Sequence, residues 1–119
     1  MSTSDNLKRG TVELLLLTLL REQDMYGYQL SQELAGRSEG LFVLQEASMY
    51  TTLYRMEEKG LISNRQELVG RRRTRVYYHL EPAGVTYLEQ IRRDYFSVNR
   101  GVLKVLRKCG EGLAEDETL

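Results

Sequence analysis

The stretch EASMYTTLYRMEEKGLISNRQELVGRRRTRVYYHL, Glu46 to Leu80, decides the architecture. Within it Met49, Leu53 and Met56 recur at i, i+4 and i+7, and Gly60 follows as a stop, so the pattern predicts a helix over 46–58. Its apolar stripe is narrow. On a helical wheel Ser48, Thr51 and Arg55 fall opposite that stripe, with Ala47 and Thr52 at its margins, so the outward face is small, polar and partly basic. Next, Leu61 to Val69 and Thr74 to Leu80 flank Gly70-Arg71-Arg72-Arg73, and Val76, Tyr78 and Leu80 alternate with Arg75, Tyr77 and His79. That two-residue period, interrupted by a glycine-led basic tip, predicts a β-hairpin.

Upstream, Leu7 to about Glu22 is rich in strong helix formers, and its leucines cover more than one helical face. A helix buried nearly all round is expected, with a second subunit covering part of it. A break at Asp24 to Gly27 precedes a shorter helix in which Tyr26, Leu30 and Leu34 recur every four residues, with Gly36 as its stop signal. Downstream, Pro82 suits the first turn of a helix. From there Leu88, Ile91, Tyr95, Val98, Val102 and Val105 follow spacings that alternate between three and four, the seam of a coiled coil. Such a seam needs a partner, and a homodimer supplies one.

The expected fold class is therefore mainly α with a small β-hairpin: a winged helix-turn-helix followed by a long C-terminal dimerisation helix. Residues 1–81 form the DNA-binding region, 82–109 the dimerisation helix and 110–119 an acidic, disordered tail. At 119 residues, with 41% hydrophobic and 29% charged side chains, one folded domain is expected rather than two cores or wholesale disorder. The longest apolar cluster, Leu14 to Leu20, is far shorter than the ~20 residues of a membrane span. The first residues show no secretory pattern, which leaves the cytoplasm as the expected location.

Chemistry is sparse. One cysteine, Cys109, and one histidine, His79, are too few for an internal disulfide, a zinc cage or most acid–base constellations, so neither metal nor cofactor is expected. No phosphate-cradling glycine pattern or nucleophile elbow is present either, and an enzyme is not indicated. His79 reads as an exposed strand residue and Cys109 as an idle thiol.

Net charge is zero, but the charges are unevenly placed. Residues 65–75 hold Arg65, Arg71, Arg72, Arg73 and Arg75 against Glu67, a local charge of +4, whereas residues 11–64 and 110–119 each carry −4. Binding responds to such local fields. A second block over 92–108, at +5, is spread round the last helix and reads as a solvated face or as a partner for the acidic tail.

The order helix, helix, helix, basic hairpin, helix is that of a winged helix-turn-helix, and duplex recognition explains why those parts belong together. The third helix fits a major groove ~12 Å wide, its short side chains letting the backbone approach, while an arginine-tipped wing lies along the adjacent backbone or minor groove.

Four segments carry a family resemblance: Leu7-Lys8-Arg9-Gly10 to Leu20, Tyr26-Gly27-Tyr28-Gln29-Leu30, Ser48-Met49-Tyr50 to Ile62, and Gly70-Arg71-Arg72-Arg73 to Leu80. In that order and spacing the sequence resembles the PadR-type winged-helix transcriptional regulators, in the short form with one C-terminal helix. The resemblance implies a cytoplasmic repressor, dimeric through its terminal helices, that releases its operator when a small molecule or stress signal acts on the dimer; one recognition helix per protomer in turn predicts a near-palindromic operator. It also implies that Tyr50 reaches a phosphate. Two positions depart from the family pattern: Glu81 stands where threonine often caps the last helix, and Thr51 where proline is frequent; Thr51 bears on base preference and helix entry, so the operator sequence does not transfer from relatives.

The candidate DNA-binding residues are Ser48, Tyr50, Thr51, Thr52, Arg55, Arg71, Arg72, Arg73 and Arg75, with Lys8 and Arg9 as further backbone contacts. Tyr50 has the alternative of a half-buried aromatic beside Tyr54. Tyr95 and Phe96 mark where a dimer crevice admits a small aromatic or cationic effector, against the plainer reading of seam aromatics. The competing function is a winged-helix protein–protein interaction module that does not bind DNA.

Overall fold

A computed structural model describes residues 3–112. Most of the acidic stretch expected to be a disordered tail, residues 113–119, lies outside the described residues. Helices α1 (Thr3–Lys8) and α2 (Val12–Glu22) are joined by a 3₁₀ turn, Arg9–Thr11. Strand β1 (Met25–Tyr26), helices α3 (Gly27–Arg37) and α4 (Glu46–Glu58), strands β2 (Ile62–Leu68) and β3 (Thr74–Leu80), and helix α5 (Pro82–Lys108) follow. The helix read over 46–58 and the hairpin thus form where the periodicities place them. Among the described residues no helix is long and apolar enough to cross a membrane.

The chain forms two compact units, one through Leu88 and one from Glu89. The core of the first is built from Leu16, Leu17, Met25, Leu30, Met49, Leu53, Met56 and Leu88, all fully buried. Burial of each such side chain contributes about 1.5–3 kcal/mol. Met49, Leu53 and Met56 are the stripe read from the sequence, and Leu16 and Leu17 cover adjacent faces of α2. Leu7, by contrast, is 78% exposed, because the helix read from Leu7 is interrupted at Arg9–Thr11 and α1 buries none of its residues.

Two further readings are corrected. Gly36 does not stop the second helix: it lies in the last turn of α3, and the left-handed residues that turn the chain are Glu39 (φ 55°) and Gly40 (φ 81°). The break after α2 contains a strand. Met25 and Tyr26 pair antiparallel with Tyr78 and Tyr77, so the wing is a three-stranded sheet in the order β1-β3-β2 rather than an isolated hairpin. β2 pairs with β3 from Ile62↔Leu80 to Leu68↔Thr74. Ile62, Tyr78 and Leu80 are buried at the base of this ribbon, while the residues from Asn64 to Val76 are exposed, Val76 among them despite its place in the apolar alternation.

α4 ends where Gly60 adopts φ 74°. The Leu61 N–H then donates to the Met56 carbonyl, and the Leu61 carbonyl accepts from the Glu81 N–H, both at 3.0 Å. These two bonds tie the end of α4 to the start of α5, where Gly84 sits directly against the Leu61 carbonyl. From Glu89 onward no described residue of α5 is buried, and Tyr95, Phe96, Val98, Val102, Val105 and Leu106 are all exposed.

Candidate nucleic-acid interface

Helix α4 presents Ser48, Thr51 and Arg55 to solvent, as the helical wheel predicts. The Thr51 hydroxyl donates to the Ala47 carbonyl at 2.9 Å, which occupies its proton but leaves the oxygen and methyl outward. Thr52 is different. It is only 7% exposed and its hydroxyl donates to the Ser48 carbonyl at 3.1 Å. A quarter turn of the helix separates the two threonines, enough to put one outside and the other against the core, so Thr52 does not share the outward face.

Tyr50 is half-buried. Its ring lies against Gly27, where a Cβ would come within 2.7 Å of Tyr50 Cζ, and its centroid is 6.2 Å from that of Tyr54. Burial, reinforced by the nearby Glu46 carboxylate and Tyr54, raises the pKa of its hydroxyl. The first turn of α3 therefore needs glycine at position 27 to seat this ring.

Arg55 is half-exposed, and its Nε lies 3.5 Å from Glu13 Oε2 on α2. An open cleft of about 570 Å³ runs along this face, lined by Lys8, Arg9, Val43, Ser48, Thr51 and Arg55 among others. The N-terminal cations and the exposed side of α4 thus border one depression.

Beyond the sheet, Arg71, Arg72 and Arg73 are exposed on a turn closed by the Val69 N–H donating to the Arg73 carbonyl at 2.9 Å. Arg75 belongs to the sheet rather than to the tip. Its guanidinium stands 4.3 Å over the Tyr26 ring, Tyr26 packs edge-on to Tyr77 at 5.5 Å, and Arg65 stands 5.2 Å over Tyr77. Such cation–π contacts seat the two guanidiniums on the faces of the strand tyrosines. Asp24 anchors the ladder by accepting from Arg65 and contacting His79 Nδ1 at 2.7 Å. Burial alone would raise the Asp24 pKa, but the hydrogen bonds from His79 and Arg65 lower it overall.

Sequence reasoning brought out the polar face of α4 and the arginine tip. It missed Glu13, Asp24 and Tyr87, whose partners lie on other elements; the only trace of them in the sequence is a carboxylate inside the apolar run of α2. Tyr95 and Phe96 form an edge-on pair with centroids 5.4 Å apart, both exposed. Among the described residues no group of three His, Cys, Asp or Glu side chains could hold a metal ion.

Helices α2, α3 and α4, a three-stranded wing, an outward polar face on α4 and an arginine-bearing tip define a winged helix-turn-helix protein. Residues 16–90 match the model of the transcriptional regulator PadR-like family, and the chain belongs to that family. It is 32% identical over 96 residues to the transcriptional regulator Rv3488 of Mycobacterium tuberculosis, covering 81% of this chain and 86% of that one. A transcriptional regulator from Clostridium thermocellum superposes with a TM-score of 0.79 at 28% identity, over 83% of this chain and 96% of that one. The fold is shared with Bacillus subtilis PadR, solved in complex with operator DNA: TM-score 0.63, 20% identity, 67% of this chain and 46% of that one.

Proposed function

We propose that this chain is a homodimeric, sequence-specific DNA-binding repressor of the cytoplasm, which releases its operator when a small molecule or stress signal acts on the dimer. The observation that carries the reading is the joint exposure of the Ser48, Thr51 and Arg55 face of α4 and the Arg71, Arg72 and Arg73 tip. Ser48, Thr51 and Arg55 read base edges from the major groove; the three tip arginines contact phosphates or the minor groove. Tyr50 donates to a phosphate from the start of α4. Arg75 sets the angle of the wing through Tyr26 and contributes charge to the same surface. Thr52 holds the helix rather than touching DNA.

Dimerisation proceeds through α5, whose exposed Val98, Val102 and Val105 continue the three–four spacing. The Tyr95 and Phe96 pair offers an aromatic or cationic effector a stacking surface at that seam. Two recognition helices then address half-sites about one or more duplex turns (~34 Å each) apart, and a near-palindromic operator follows.

The test is selection of duplexes from a randomised pool on the full chain, followed by a salt titration of the winners. With ~8 phosphates neutralised per dimer, log affinity falls against log salt with a slope of roughly −7. A flat salt response, or no duplex recovered, refutes the reading and favours a protein-interaction module.

A further inference from the structure

Arg55 is not simply a solvated cation. Its Nε faces Glu13 Oε2 at 3.5 Å, and the other oxygen of that carboxylate, Oε1, accepts a hydrogen bond from the Tyr87 hydroxyl at 2.6 Å. Three elements are joined by one carboxylate: α4 through Arg55, α2 through Glu13 and the first turns of α5 through Tyr87. Exposure falls inward along this chain, since the Arg55 side chain is 50% exposed and that of Glu13 only 18%.

The geometry points to Glu13 as the positioning residue for Arg55 at the DNA interface, with Tyr87 holding Glu13 in place; this rests on the DNA-binding reading above. Two features carry the assignment. Contact through Nε leaves both terminal amino groups of the guanidinium for another partner, and these two groups form the fork that takes a guanine edge or a phosphate bidentately. A carboxylate fixed by a part-buried hydrogen bond from Tyr87 also lowers the rotamer freedom that a free arginine would lose on binding. The hydrogen bond to Glu13, then burial, push the Tyr87 hydroxyl up to about 12, so it stays a donor at every physiological pH. Glu13 sits where α2 would otherwise be apolar, and its half-buried charge has its partners in these two side chains.

The experiment is a set of double-mutant cycles on the full chain, read by fluorescence anisotropy with selected duplexes and with single-base variants of them. Tyr87→Phe removes one hydroxyl and no charge, and Glu13→Gln keeps the shape of the side chain. Each is expected to weaken the preferred duplex about three- to fivefold and to narrow the gap between preferred and variant duplexes. In an Arg55→Ala background both substitutions lose that effect, while melting temperature, measured in both backgrounds, shows every variant folded at the assay temperature. Equal effects with and without Arg55, or tighter and still selective binding by Tyr87→Phe, overturns the positioning role alone. If the selection returns no duplex, or if Arg55→Ala and the triple alanine variant of Arg71, Arg72 and Arg73 bind as the parent does, the DNA reading itself fails and takes this one with it.

Discussion

Replacing Gly84 with alanine sets two well-known effects against each other at one position. Gly84 lies in the first turn of α5 and is buried. In a helix alanine is favoured over glycine by up to about 1 kcal/mol, so propensity alone predicts a more stable protein. Here the added Cβ would meet the Leu61 carbonyl, standing 3.1 Å from its carbon and 2.6 Å from Leu80 Cδ1. Leu80 can rotate away, but the Leu61 carbonyl is fixed by the Glu81 N–H at 3.0 Å, and Leu61 is itself fixed to Met56. Relief therefore requires α5 to shift off the end of α4. Overpacking of this kind costs about 1–3 kcal/mol, and weakening the Leu61–Glu81 bond adds about 0.5–1.5 kcal/mol. After the propensity gain the net loss is about 1–3 kcal/mol, or a melting temperature lower by roughly 5–20 °C for a domain of this size. Urea denaturation at fixed protein concentration measures it, with Gly36→Ala as the control. Gly36 has open space around it in the last turn of α3, and there alanine should stabilise by up to about 1 kcal/mol. Equal stabilisation by both substitutions would show that the backbone contact at Gly84 carries no constraint.

Alanine at Arg71, Arg72 and Arg73 together should weaken all duplexes alike and make the salt slope shallower by about two to three per protomer, measured by anisotropy across a salt series. Thr52→Val should leave base preference unchanged, whereas Thr51→Val should alter it; competition binding with variant duplexes reads both, and a preference change at Thr52 alone would reverse their assigned places. The lowered pKa of Asp24 gives folding a contribution that is present above the ordinary carboxylate pKa of 3.8 and is lost as pH falls through the lower folded value. Asp24→Asn should therefore destabilise at pH 7 and flatten the acid limb of a stability–pH curve below about pH 4; an unchanged acid limb would place the acid sensitivity elsewhere.

What could be read from the chain follows the range of the interactions. Met49, Leu53, Met56 and the terminating Gly60 are local in sequence, so the boundaries of α4 were legible to the residue. The alternation from Arg75 to Leu80 likewise marks β3, because period two is a property of one strand. β1 escaped notice because two residues cannot display a period; only Tyr77 and Tyr78, fifty residues later, make Met25 and Tyr26 a strand. Thr52 was misplaced for a related reason. A wheel assigns margins, and whether a marginal threonine faces groove or core depends on what packs beside it. The Glu13–Arg55 pairing joins residues on different helices, and nothing in either neighbourhood advertises the other.

The arginine turn also offers an opportunity to any trypsin-like enzyme. Three consecutive cleavable bonds sit at the far end of a ribbon whose strands stay zipped from Ile62↔Leu80 to Leu68↔Thr74. A nick there would split the polypeptide on a denaturing gel while the two fragments migrate together under native conditions. Bound operator should shield the cut, turning limited digestion into a footprint taken on the protein instead of on the nucleic acid.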